Sequence, residues 1–186
     1  AHFYIRRFKR LTPALALMVA VVMAASVLIL SPIESQGNAA LTALGAIFLV
    51  ANVVIARTTG NYFDADADTN PLLHTWSLSV EEQFYLIFPV MLLIGWRLGS
   101  RYRRATAVSG VAIGIGGAIS LALALGEAKG VGFTALPESF IGFYGPATRA
   151  WEFAAGVLLA LGARRLTTLS TSLSLAMSGV GAALLC

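Results

Sequence analysis

Charged residues and cysteine are both scarce in this chain, and each shortage excludes a class of protein. Of its 186 residues, 12% are charged and one, Cys186, is a cysteine. A soluble domain carries roughly 25% charged residues, so this composition does not fit one. A single cysteine excludes a disulfide framework and a metal site built from several thiolates.

Three further absences narrow the function. The net charge of +4 is not arranged as a basic stripe interleaved with aromatic residues, so no nucleic acid partner is expected. The N-terminal stretch lacks the cleavage pattern of a signal peptide. Asp64, Asp66 and Asp68 begin like a calcium loop, but Thr69 and Thr75 occupy the positions that require glycine and glutamate. We therefore expect no bound metal.

Long apolar runs take up most of the sequence, in which 58% of the residues are hydrophobic. Crossing a bilayer takes about 20 apolar residues in a helix, and no run alternates as a strand would. The runs predict an all-α integral membrane protein, a bundle of about five to six transmembrane or re-entrant helices. Because both ends look cut, we expect an internal piece of a longer domain. The predicted helices cover residues 13–30, 39–56, 71–96, 106–125, 147–162 and 167–186.

Basic residues form three clusters that the positive-inside rule assigns to the cytoplasm. The clusters are Arg6, Arg7, Lys9 and Arg10; Arg97, Arg101, Arg103 and Arg104; and Arg164 with Arg165. Three apolar segments lie between the first two clusters, although a return to the same side needs an even number of crossings. We favour a re-entrant segment 39–56, while a crossing hidden within 60–73 or a loop that breaks the rule also fits.

The region from residue 70 to residue 86 concentrates polar and ionisable residues beside an apolar run. Asn70 followed by Pro71 predicts a helix start, with asparagine as the N-cap and proline at the first helical position. The resulting helix, 71–96, would be about 39 Å long. Four polar residues at spacings of three and four are expected on one face of it: His74, Ser77, Glu81 and Tyr85.

Two interpretations of that face remain open. Acidic residues at the centre of a membrane cost about 2.5–3.5 kcal/mol on insertion scales, so they need hydration or a partner. Such groups either line a polar cavity in which a proton moves, or cap and pair locally in the headgroup region.

Two other charged groups carry the same ambiguity. Arg149 and Glu152 lie three residues apart, close enough on a helix for an ion pair that fixes packing or lines the cavity. The first basic cluster either sets orientation and contacts anionic lipids, or binds the phosphates of a nucleotide-like cofactor, since arginine recognises phosphate through two donors.

Three motifs together resemble a known family. The segment from His74 to Tyr85, HTWSLSVEEQFY, resembles the signature of the membrane acyltransferase 3 family, which includes O-acetyltransferases of bacterial lipopolysaccharide, other surface polysaccharides and peptidoglycan. The segment from Phe3 to Pro13, FYIRRFKRLTP, is similar to the arginine-rich start of a family helix. Arg149-Ala-Trp-Glu152 with Gly156 matches in order and spacing.

The resemblance implies transfer of an acyl group, with acetyl as the first expectation, from cytoplasmic acyl-CoA to a hydroxyl of a cell-surface carbohydrate. No permanently bound cofactor is implied; acyl-CoA, the carbohydrate acceptor and membrane lipids are the expected partners, in the bacterial cytoplasmic membrane. Arg6, Arg7 and Arg10 match the motif that would hold the cofactor. The positions expected around the central cavity are matched by His74, Glu81, Glu82, Arg149 and Glu152.

The chain departs from the family pattern in one respect. The arginine and histidine that the family is expected to use in catalysis belong to an earlier helix, and His2 does not match that histidine. The resemblance therefore assigns supporting roles to His74, Glu81 and Glu82, and implies that the fragment alone is inactive. A transporter or flippase with a proton relay is the alternative, but no inverted repeat supports it.

Overall fold

A computed structural model of the chain describes residues 2–32, 35–59, 69–100, 105–131, 137–166 and 171–183. Every regular element in these ranges is a helix, as the sequence predicts. The helices are α1 (His2–Ile29), α2 (Ser35–Ile47), α3 (Ala51–Thr58), α4 (Thr75–Ser100), α5 (Ala105–Ala128), the short α6 (Glu138–Ile141), α7 (Ala150–Leu166) and α8 (Thr171–Ala183). Asp64, Asp66, Asp68, Arg101, Arg103 and Arg104 lie outside the described residues.

Three of these helices are long and apolar enough to cross a membrane. They lie in α1, at 75–97 of α4 and at 106–128 of α5, and shorter apolar helices follow in α7 and α8. Their surfaces expose large aliphatic side chains such as Leu28, which is 87% exposed, and Leu17, which is 67% exposed. Apolar surface of this extent suits lipid and not water, so the described fold is that of a membrane protein.

Helix α1 begins earlier than the apolar run suggests. It starts at His2, so Pro13 lies inside the helix and not in its first turn. A proline inside a helix removes one backbone hydrogen bond, but the basic turn before it stays helical because Arg7 is held by α4, as described below.

The predicted helix 39–56 is broken into two. Helix α2 ends at Ile47 and α3 starts at Ala51, and Leu49 between them takes a left-handed conformation with φ of 59°. The Val50 N–H donates to the Gly45 carbonyl at 2.7 Å, and this hydrogen bond closes the break between α2 and α3. With 13 and 8 residues, neither half reaches across about 30 Å of hydrocarbon at 1.5 Å per residue.

Helix α4 starts later than predicted. Residues 71–74 form a turn, and the helix begins at Thr75, whose hydroxyl donates to the Leu72 carbonyl at 2.7 Å. Asn70 does accept from a backbone N–H, that of Leu72 at 3.0 Å, but it caps this turn instead of the helix. Its amide nitrogen also donates to Thr42 at 2.8 Å, so contact with α2 fixes the turn.

The core lies where α1, α2 and α3 meet the start of α4. Its buried residues are Leu15, Val19, Ala43, Ala46, Ala51, Ile55, Leu72 and Tyr144. Small residues dominate on α2, which lets the helices approach closely. Tyr4 of α1 contacts Leu86 of α4, and Arg7, one turn later on α1, contacts Glu82, one turn earlier on α4, so the two helices run antiparallel here.

Helix α5 packs between α4 and α7 through other small residues. A Cβ placed on Gly117 would lie 2.8 Å from the Cβ of Ala154 on α7, so this glycine is the point of closest approach. Gly110 and Gly114 form a GxxxG pattern. A Cβ placed on either glycine would lie 4.0 Å from the Cδ1 atom of a leucine of α7, which is an ordinary contact distance.

Candidate functional site

An arginine of α1 joins two consecutive glutamates of α4. The Arg7 Nε donates to both carboxylate oxygens of Glu82, at 2.8 and 3.0 Å, and the Nη2 lies 2.7 Å from Glu82 Oε1. The same Nη2 donates to Glu81 at 3.2 Å. The Glu82 side chain is 8% exposed, whereas those of Arg7 and Glu81 are 30% and 44% exposed. Glu82 is therefore the buried anchor of the group.

Aromatic residues complete this contact. The Arg7 guanidinium lies over the ring of Tyr85, 3.4 Å from its centroid, which is within the range of a cation–π interaction. One turn earlier on α1, the Tyr4 hydroxyl donates to the Leu86 carbonyl at 3.3 Å. The first turns of α1 are thus held to α4 by an ion pair, a ring contact and a hydrogen bond.

A cavity of about 610 Å³ lies beside the ion pair. Three parts of the chain line it: the start of α1, the break between α2 and α3, and one turn of α4. The lining residues are Tyr4, Ile5, Arg7, Phe8, Lys9, Leu11, Phe48, Leu49, Val50, Glu82, Gln83, Tyr85 and Leu86. Its walls are mainly apolar, and its charged groups are the two cations of α1 and the Glu82 carboxylate.

Gln83 of α4 holds the break between α2 and α3, and the sequence alone did not single this residue out. Its amide nitrogen donates to the Leu49 carbonyl at 2.8 Å and to the Asn52 side-chain oxygen at 2.9 Å. Asn52, fully buried, donates onward to the Tyr144 carbonyl at 3.3 Å. One turn before Gln83, the Ser79 hydroxyl accepts from the Ala51 N–H at 3.1 Å. The four-residue spacing of Ser79 and Gln83 is the signal that identifies this second face.

The predicted polar face of α4 does not form a single site. Glu81 and Tyr85 join Arg7, but His74 precedes the helix and is exposed. Ser77 is also exposed, and its hydroxyl donates to the His74 carbonyl at 3.0 Å. Neither lines the cavity. The shared-face prediction is wrong for His74 because the turn at 71–74 displaces it from the helix.

Arg149 and Glu152 form a separate cluster at the start of α7. They pair at 3.4 Å, as their spacing predicts. The Arg149 guanidinium lies 4.9 Å from the ring centroids of both Trp76 and Phe143, and neither Arg149 nor Glu152 lines the cavity. Phe153, next to Glu152, stacks on Phe84 at 4.2 Å and so joins α7 to α4.

The three arginines expected at a cofactor site occupy different environments. Arg7 lines the cavity, whereas Arg6 and Arg10 are exposed on other sides of α1 and do not. Lys9 belongs to the same basic cluster but not to the three arginines that the resemblance assigns to the cofactor, and it lies in the lining. Within the described residues, no group of three or more histidine, cysteine or acidic side chains is arranged to hold a metal ion.

The cavity offers a ligand apolar walls and the Lys9 ammonium, beside an Arg7 guanidinium that is already paired with Glu82 and Glu81. Both oxygens of Glu82 accept from the guanidinium, so the carboxylate fixes the orientation of Arg7 and balances one positive charge. Lys9 adds a second cation, and a lysine ammonium binds phosphate as a point charge.

Comparison with known proteins identifies the family of the chain. The sequence profile of the acyltransferase domain family matches residues 1–186. The apolar helices and the profile together define a helical membrane domain of the acyltransferase type. The chain belongs to the acyltransferase 3 family, and the transporter alternative gains no support.

Three relatives illustrate this membership. The chain is 42% identical over 92 residues to the peptidoglycan O-acetyltransferase OatA of Listeria monocytogenes, a match covering 50% of this chain and 14% of the relative. It is 41% identical over 91 residues to the putative O-acetyltransferase SACOL0978 of Staphylococcus aureus, covering 49% and 15%. An uncharacterized protein of Haemophilus influenzae is 39% identical over 97 residues, covering 51% and 38%.

The matched segments therefore make up well under half of each relative's length. No solved structure matches the chain.

Proposed function

We propose that the protein to which this chain belongs transfers an acyl group from cytoplasmic acyl-CoA to a hydroxyl of a cell-surface carbohydrate. Acetyl is the first candidate for the group, and the bacterial cytoplasmic membrane is the proposed location. The relatives named as O-acetyltransferases support the reaction class. The observation that supports acyl-CoA as the donor is the cavity, because Arg7 and Lys9 lie among its mainly apolar lining residues.

In the proposed reaction, the acceptor oxygen attacks the carbonyl carbon of the thioester. The new carbon–oxygen bond forms as the carbon–sulfur bond breaks; the hydroxyl proton passes to a base, and coenzyme A leaves as the thiolate. Arg7 and Lys9 would bind the phosphates of the donor. Glu82 holds Arg7 in position for this role, because its two oxygens fix the plane of the guanidinium.

The general base is assigned to none of the described residues. Both Glu82 oxygens accept from Arg7, so the carboxylate is already engaged by the guanidinium. His74 lies in the exposed turn before α4 and does not line the cavity. His74, Glu81 and Glu82 therefore keep the supporting roles that the resemblance implies, with the Glu82 role defined as positioning of Arg7.

Labelled acyl transfer in liposomes tests this proposal. Full-length protein is supplied with radiolabelled acetyl-CoA and with peptidoglycan or surface polysaccharide as acceptor. We expect label on the acceptor with the native protein, and a loss of roughly tenfold or more with Glu82→Gln, since tenfold corresponds to about 1.4 kcal/mol.

Glu138→Gln is the matched control. Glu138 is exposed at the start of α6 and does not line the cavity, so its transfer rate should equal that of the native protein. No labelled acceptor with any acyl-CoA would refute the donor assignment, and full transfer by Glu82→Gln would refute the role of the ion pair.

A further inference from the structure

The break between α2 and α3 is a wall of the cavity, and its position depends on α4. Phe48, Leu49 and Val50 line the cavity. The helical hydrogen-bond pattern holds as far as the Phe48 N–H, which donates to the Leu44 carbonyl at 3.1 Å, and then changes: the Leu49 N–H donates to Ala46 and the Val50 N–H to Gly45. Leu49 has a φ of 59°, a conformation that costs an L-residue roughly 1–2 kcal/mol and needs support from outside.

Two residues of α4 supply that support. Gln83 donates to the Leu49 carbonyl at the centre of the break, and Ser79 accepts from the Ala51 N–H directly after it. Both groups would otherwise be unpaired backbone polar groups at the ends of short helices. Ser79 is 1% exposed, so water does not substitute for its hydroxyl.

Both N–H donors of the Gln83 amide are engaged in this contact. Its nitrogen carries two hydrogens, and it donates at 2.8 Å to Leu49 and at 2.9 Å to Asn52, which is itself tied to the Tyr144 carbonyl. Glu82, one residue earlier, points to Arg7 on the other side of the cavity. Two adjacent side chains of α4 thus hold two opposite walls, one charged and one apolar.

From this arrangement we propose that Gln83, supported by Ser79, is a positioning residue that determines which acyl groups the protein accepts. The inference rests on the proposed function, because it places an acyl-CoA in the cavity. With the phosphates at Arg7 and Lys9, the acyl end of the donor lies against the wall formed by Phe48, Leu49 and Val50. The distance of that wall from the cations sets the acyl length that fits.

Replacing the amide without changing its size tests the inference. In Gln83→Glu, a carboxylate oxygen replaces the donating nitrogen and faces two acceptor oxygens, so the break moves away from α4. Binding of acetyl-, butyryl- and octanoyl-CoA to full-length protein is measured by titration calorimetry. We expect acetyl-CoA to bind about tenfold more weakly, the effect of losing roughly 1.4 kcal/mol. Octanoyl-CoA should be affected less, so that the preference shifts towards longer chains.

Gln36→Glu is the matched control. The Gln36 amide also donates to backbone carbonyls, those of Ser26 and Leu30 at 3.3 and 3.0 Å, but at the opposite end of α2 and outside the cavity lining. This variant should lower stability without changing the order of the three affinities. A purely structural role of Gln83 would give the same result as Gln36→Glu.

The outcomes separate the inference from the proposed function. If the native protein binds none of the three acyl-CoA molecules, the donor assignment fails. If it binds them and Gln83→Glu keeps the native ratio of affinities, the positioning role is overturned. Should Gln83→Glu fail to fold, Ser79→Ala decides, because it removes one hydrogen bond to the same break and must shift the ratio in the same direction.

Discussion

Arg7 and Glu82 are 75 positions apart in sequence, and the Arg7 Nε donates to both oxygens of the Glu82 carboxylate. The contact holds the first turns of α1 against α4 and orients the guanidinium towards the cavity. It also explains why α1 stays helical through a basic stretch that precedes its apolar run. Structure and proposed chemistry therefore depend on the same pair.

Removing either partner should destabilise the protein. Glu82→Gln leaves Arg7 with Glu81 as its remaining ion-pair partner, and Arg7→Gln leaves two adjacent carboxylates without the guanidinium. Removing one partner costs about 3–5 kcal/mol for a fully buried pair. Because the Arg7 side chain is 30% exposed, we expect about 2 kcal/mol for each variant. The double variant should lose less than the sum, with a coupling of roughly 0.5–3 kcal/mol.

The free energy of unfolding in mixed micelles checks this coupling. Glu138→Gln, at an exposed glutamate, should change it by less than about 0.5 kcal/mol. Additive effects of the two single variants would show that the pair does not interact in the folded protein.

The break between α2 and α3 should not tolerate a side chain at Gly45. A Cβ there would lie 2.9 Å from Val54 Cγ2 and 3.0 Å from the Cα of Ala51. Gly45→Ala should therefore destabilise the protein by about 1–3 kcal/mol. Gly37→Ala in the same helix meets nothing within 4 Å and should stabilise it by about 0.5–1 kcal/mol. Thermal unfolding midpoints compare them, and a Gly45→Ala protein as stable as Gly37→Ala would contradict the geometry of the break.

The contact between α5 and α7 allows a second comparison of two glycines, which here are adjacent in sequence. A Cβ on Gly117 would approach the Ala154 Cβ to 2.8 Å, whereas one on Gly116 meets nothing within 4 Å. Gly117→Ala should lower the unfolding midpoint through overpacking that costs about 1–3 kcal/mol, and Gly116→Ala should raise it slightly. The combination Gly117→Ala/Ala154→Gly should restore stability, and its failure would place the contact elsewhere.

The sequence alone predicts the class of fold because long apolar helices follow directly from composition. It does not predict the break at Leu49. The run from Phe48 to Val50 is continuously apolar and contains no proline, and contacts with Ser79 and Gln83 on a helix that comes later in the chain stabilise the break. Gly45 is a nearby residue that the break requires, because a side chain there would collide with α3.

The site was predictable in part. The resemblance includes Arg7 with two other arginines and Glu82 with Glu81 among the residues it assigns to the site. It does not tell which cation meets which glutamate, since that choice depends on how antiparallel helices pack. His74 was placed on the wrong surface because Asn70 and Pro71 look like a helix start. Asn70 instead donates to Thr42 of α2, a contact that the local sequence does not reveal.

The most direct test of the account is the affinity of the full-length protein for acetyl-CoA, measured by titration calorimetry with and without the Glu82 carboxylate. The account predicts that the native protein and Glu138→Gln bind equally, and that Glu82→Gln binds roughly tenfold more weakly, a loss of about 1.4 kcal/mol. Equal binding by all three proteins would contradict the claim that the Arg7–Glu82 pair organises the donor site.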